Sequence, residues 1–151
     1  MANLELKLTS IKEHIESVLG DGFTYYLQYV PKQYKANVVT IEIDNVSATT
    51  ETSSHYATNM ACQIVVFADS NRACMEHAEL LTNALKDTEL VPLLKTNPKR
   101  YLRLNGISYS KAFETDTEGV SAVIIMAEVV ERSNKNRDEY PYIKHISVRE
   151  R

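Results

Sequence analysis

Apolar and polar positions alternate along this chain in a few well-patterned stretches. The clearest is residues 60–86, an apolar run followed at once by a run with helical spacing. Within 61–68 Gln63 is the one plainly polar residue, and Ile64, Val65, Val66 and Phe67 are β-branched or aromatic, which predicts a strand buried on both faces. Asp69, Ser70 and Asn71 then offer acceptors for the free amides of a helix start, and Ala73, Cys74, His77, Leu80, Leu81, Ala84 and Leu85 recur at three and four. Such a helix can lay its apolar stripe back over the sheet that holds the strand.

The same reading extends to both sides. Leu4, Leu8, Ile11, Ile15, Val18 and Leu19 share one helical face, with Ser10 and Glu13 as a capping box if the regular helix begins there and Gly20 and Gly22 as its stop. Residues 23–30 are rich in Tyr and end at Pro31, a strand closing at a turn. Residues 38–44 alternate, Val39, Ile41 and Ile43 against Val38, Thr40 and Glu42, as a half-buried strand paired antiparallel with the previous one. Residues 45–59 turn abruptly to Ser, Thr and Ala, so a loop or long hairpin tip is expected, a candidate partner-binding arm. A short packed turn around Pro92 follows the second helix. Residues 107–113 and 120–130 form two further strands about an acidic tip. The predicted architecture is α+β, a mainly antiparallel sheet with helices packed on one face. Residues 1–133 make one domain, and residues 134–151 a C-terminal extension or edge strand.

Composition narrows the class. With 151 residues, 44 % hydrophobic and 25 % charged, the chain is long enough for one ordinary core. No run approaches the roughly 18 apolar residues of a membrane helix, and no leader pattern opens the chain, so no membrane partner is expected and the protein should stay where it is made. Cys62 and Cys74 have no second pair to complete a zinc set and read as buried thiols. The charge of −3 is split. Residues 1–94 hold six Lys/Arg against twelve Asp/Glu, and residues 95–151 hold eleven against eight, which favours head-to-tail contact between copies.

Signals for catalysis are weak. There is no phosphate-binding glycine loop, no nucleophile elbow and no zinc helix, and the four histidines sit in four different elements. Glu114, Asp116, Glu118 and Gly119 imitate the first half of a calcium loop, but the twelfth position, which needs a bidentate acid, is Ile125. No cofactor is expected. Lys95, Lys99, Arg100 and Arg103 around Tyr101 could meet phosphates and a base, yet a net-acidic chain lacks the broad basic footprint of a nucleic-acid binder, which makes direct nucleic-acid binding the weaker reading. An enzyme or ligand-binding domain would need Asp69, Glu76 and His77 to line a pocket, and helical geometry does not bring them to one face.

Two segments, CQIVVFADSNRACMEHAELLTNAL and FETDTEGVSAVIIMAEVVER, together with the N-terminal helix, resemble the tail terminator or tail completion (neck) proteins of long-tailed bacteriophages. The resemblance covers most of the chain and is one of pattern and element order. It implies an α+β fold, no catalysis, and a homo-oligomeric, hexameric ring. Such a ring caps the tail tube by binding the major tail tube protein and offers a joining surface to a head completion or connector protein. The implied location is the virion tail or neck, assembled in the cytoplasm of the bacterial host. A related neck or minor capsid role is the alternative. The candidate partner or oligomer contacts are Thr49, Thr50, Glu51, Thr52, His55 and Tyr56 in the polar arm, Arg100 and Arg103 in the basic cluster, and Tyr140, Tyr142 and Arg149 in the C-terminal extension.

Overall fold

The computed structural model describes residues 3–96 and 99–134. Helix α1 spans Leu4–Leu19 and strand β1 Thr24–Leu27. Strands β2 (Val38–Thr50) and β3 (His55–Ala68) lead into helix α2 (Asn71–Thr88). Short β4 (Leu90–Pro92), β5 (Tyr101–Tyr109), two-residue β6 (Phe113–Glu114) and β7 (Ser121–Asn134) complete the order. The strands form a single sheet in the order β1-β2-β3-β7-β5-β4, with β6 also paired to β7. All pairings but one are antiparallel, and both helices lie against one face, so the α+β class expected from the pattern is the fold observed.

Alternation along the central strands explains how one sheet acquires two faces. Val39, Ile41 and Ile43 stand opposite Val66, Ile64 and Cys62, which stand opposite Val123, Ile125 and Ala127, and this row meets Leu8, Ile11 and Ile15 of α1 and Cys74, Ala78, Leu81 and Leu85 of α2. The intervening row, Val38, Val65, Phe67 and Ala122, faces away from the helices and is capped by Tyr34, whose ring stacks on Phe67 with centroids 5.0 Å apart. The strand around Ile64 is therefore buried on both sides, as its composition requires. Burying the side chain of a residue such as Ile64 is worth about 1.5–3 kcal/mol.

Local chemistry corrects several expectations. The capping residue of α1 is Asn3, whose Oδ1 accepts from the Leu6 amide at 2.7 Å, and the helix begins well before Ser10. The Ser10 hydroxyl instead donates to the Leu6 carbonyl at 2.7 Å and accepts from the Leu94 amide at 3.0 Å, tying α1 to the turn after β4. In α2 the cap is Ser70, whose Oγ accepts from the Ala73 amide at 3.1 Å. Leu80, expected in the apolar stripe, is 52 % exposed, and Ala78 and Thr82 occupy the buried face with Leu81.

Strand β1 is parallel to β2, where an antiparallel pair was expected. The connector after Leu27 runs back along the sheet face away from the helices, where Tyr34 stacks on Phe67, to the level at which β1 began, and there the Thr24 amide bonds to the Asn37 carbonyl and the Asn37 amide to the Phe67 carbonyl. Gln28, at φ +56°, donates its amide to Ile41. Its side chain then bonds both the amide and the carbonyl of Ile43, copying one more step of a strand. The last strands also differ from expectation. Strand β5 starts at Tyr101 and takes in part of the basic cluster, the acidic tip joins β6 to β7, and β7 runs to Asn134.

Candidate assembly surface

The polar segment expected as a loop is a long β-hairpin. β2 and β3 stay in register through Thr50↔Tyr56, with an irregularity between Asp44 and Ser47 that bends the ribbon. Every residue from Asp44 to His55 is exposed. Ser and Thr can extend as readily as they can loop, and here the ladder to β3, itself paired to β7 as far as His55↔Asn134, carries them. Beyond the Gln28 clamp at Ile43, no described strand pairs with the outer edge of β2, so residues 44–50 present backbone donors and acceptors to solvent.

The tip is held by its own side chains. The Thr52 hydroxyl accepts from the His55 amide at 2.9 Å and the Ser54 amide at 3.2 Å, and Ser54 Oγ lies 2.9 Å from His55 Nδ1. Glu51 Oε1 sits 3.1 Å from Nε of Arg132 on β7, bracing the hairpin against the neighbouring strand. With both partners partly exposed, this pair contributes less than about 1 kcal/mol and serves mainly to orient the tip.

At the root of the hairpin lies a second constellation. Glu131 on β7 is fully buried and receives two cations, Lys7 Nζ at 3.0 Å from α1 and Arg100 Nη2 at 3.0 Å from the segment before β5. Arg100 also donates to the Arg132 carbonyl at 3.0 Å. Around the same spot a surface hollow of about 340 Å³ is lined by Leu90, Lys99, Tyr101, Arg103 and Arg132, along with Arg100 and Val130.

The structure thus places the expected contacts in two groups. Thr49, Thr50, Glu51, Thr52, His55 and Tyr56 come together at the hairpin end, and Arg100 and Arg103 lie across β7 from it. Arg132, which no sequence motif singled out, links them by touching Glu51 and lining the basic hollow. Lys7 and Glu131 were also missed. A charged residue on an otherwise apolar helix or strand face, Lys7 beside Leu8 and Ile11 and Glu131 beside Val129 and Val130, was the available signal. Tyr140, Tyr142 and Arg149 lie outside the described residues.

The residues considered for chemistry do not converge. Glu76 pairs with Arg72 at 3.3 Å on the solvent side of α2, while His77 packs edge-on against Phe23 with centroids 5.1 Å apart. In the acidic tip, Thr115 Oγ1 closes a turn by donating to the Val120 carbonyl at 2.8 Å. Among the described residues no group of three or more His, Cys, Asp or Glu is placed to hold a metal ion, and no helix is long and apolar enough to cross a membrane. Burial pushes the Cys62 thiol up to about 12 and raises that of Cys74, so neither is a ready nucleophile.

These features define an α+β protein with a projecting polar hairpin and a charged root. No family model and no curated protein matches the chain. Among solved structures it is similar to a chain from the virion of a native gene transfer agent particle, at 14 % identity over 79 % of this chain and 84 % of that one, with a TM-score of 0.46.

Proposed function

We propose that this chain is a structural protein of a tailed-phage virion that assembles as a ring, ends tail-tube polymerisation and presents the surface to which the head joins. The observation that carries the reading is the exposed hairpin of residues 44–55, braced by Arg132 and bearing a strand edge that no described strand pairs. A strand edge of that kind is a template for pairing with another chain, and proteins otherwise blunt it. The sequence resemblance to tail terminators and the acidic-to-basic split along the chain agree with a ring built by heterologous contacts.

In this account the ring is hexameric and sits in the tail or neck, and the hairpin contacts are made by Thr49, Thr50, Glu51, Thr52, His55 and Tyr56. The major tail tube protein is met on one side and a head completion or connector protein on the other. Arg100 and Arg103, and separately Tyr140, Tyr142 and Arg149 of the C-terminal extension, are further partner or oligomer contacts. The protein acts by surface complementarity without catalysis.

Replacing Thr52–Ser54 by Asn-Gly tests the hairpin. Glu51 and His55 remain opposite each other and a two-residue turn closes the ribbon, so the melting temperature should stay within about 2 °C, in line with a surface change of roughly ±0.5 kcal/mol. Tube capping, read as tail length in negative-stain images, should be lost. Normal tail lengths with this variant would remove the hairpin tip, residues 52–54, from the contact.

A further inference from the structure

The sheet face away from the helices carries a groove of about 310 Å³ that the assembly reading leaves unused. Thr40, Val65 and Ile124, side by side on β2, β3 and β7, form its floor, and Glu42, Glu114 and Asp116 stand at its rim. Two properties mark it as a place where something binds. Thr40 is 0 % exposed, and its Oγ1, in the floor of the groove, has no hydrogen-bond partner among the described residues. Three carboxylates surround an apolar floor with no Lys or Arg among the lining residues. An extended segment with apolar side chains on one side and cations beside them fits that chemistry.

The chain itself supplies such a sequence. Residues 140–149, YPYIKHISVR, contain Ile143, Ile146 and Val148 with Lys144 and Arg149 and no acid, whereas the first 94 residues are strongly acidic. Strand β7 begins at Ser121, beside the groove, and runs away from it to Asn134, ten residues beyond Ile124, about 33 Å of strand. The described chain therefore ends at the opposite end of β7 from the groove, and a segment following it would have to double back over that distance to reach the groove of its own subunit, whereas the segment of a second copy would not. We propose that the groove binds the basic apolar sequence 142–149 of a second copy of this chain, with Ile146 and Val148 over Val65 and Ile124 and with Lys144 and Arg149 toward Glu42 and Asp116. This rests on the assembly reading and names one of its contacts.

Disulfide trapping between two full-length variants tests it. Val30, 39 % exposed at the groove mouth, is changed to Cys in one sample and Ile146 to Cys in the other. The native Cys62 and Cys74 are buried and stay silent. On mixing with a mild oxidant, a V30C–I146C heterodimer should form, identified by mass spectrometry of the linked peptides. Adding E42K and D116K to the V30C chain should lower its yield at least tenfold. Oligomers of normal size without the V30C–I146C link would overturn this contact and leave the assembly reading standing. A link found only within one polypeptide, in the V30C/I146C double variant, would overturn it in favour of the chain's own segment. Absence of any oligomer would overturn both.

Discussion

Lys7 Nζ lies 3.0 Å from Glu131 Oε1, with the two side chains 4 % and 0 % exposed. The pair joins the first turn of α1 to the far end of β7, and Arg100 completes it from a third element, so the root of the hairpin is fixed to the body by charge as well as by the sheet. Two cations share one carboxylate, which means that removing the carboxylate strands a buried ammonium. Glu131→Ala should cost about 3 kcal/mol or more by denaturant unfolding, a fall in melting temperature of at least roughly 6 °C. Lys7→Met combined with Glu131→Leu should recover most of that loss, since Arg100 is one-third exposed and can turn to water. A double variant as unstable as the single one would show that the ion pair itself stabilises the fold.

His14 makes a second prediction, in pH. Its Nε2 is buried with no hydrogen-bond partner among the described residues, beside Ile11, Cys62 and Ile64, and burial holds its pKa below the ordinary 6.5. The folded state therefore refuses a proton that the unfolded chain accepts. Stability should be intact above about pH 7 and should fall as the pH drops through 6.5 toward the depressed folded value. His14→Leu should show a smaller loss over the same window in urea titrations. Equal slopes for both proteins would mean that His14 is not the group responsible.

The two cysteines give a third. Cys74 Sγ points to the Val66 carbonyl at 3.7 Å and Cys62 is in the central row of the core, so both should resist a thiol reagent in the native protein at pH 8. Labelling should be at least about a hundredfold slower than in denaturant, because the thiolate is scarce and access requires opening. Rapid modification of either thiol without denaturant would contradict the burial of β3 beneath α2.

How much of this was legible in the residues follows from what each signal encodes. The core strand, the capped second helix and the helix-on-sheet class were readable, because Ile64 to Phe67 and the Cys74, Leu81, Leu85 spacing report burial directly. The direction of β1 was not readable. Tyr25 and Tyr26 alternate equally well beside a parallel or an antiparallel neighbour, and the choice is made by backbone bonds at Asn37 and Gln28. The hairpin was underestimated for a related reason, since Ser47 to Thr50 carry no apolar alternation and their strand character comes from pairing with β3. The charged root was hidden because Lys7, Arg100 and Glu131 are distant in sequence and meet only after folding.

The central claim is that the subunit is built to associate with copies of itself. Sedimentation velocity of the full-length protein from low to high micromolar concentration tests it most directly, with a parallel run in the presence of tail tube protein. The account predicts a discrete closed species, at the mass of six copies, that gains population as concentration rises or as the partner is added. A single monomer boundary under all of these conditions would contradict it.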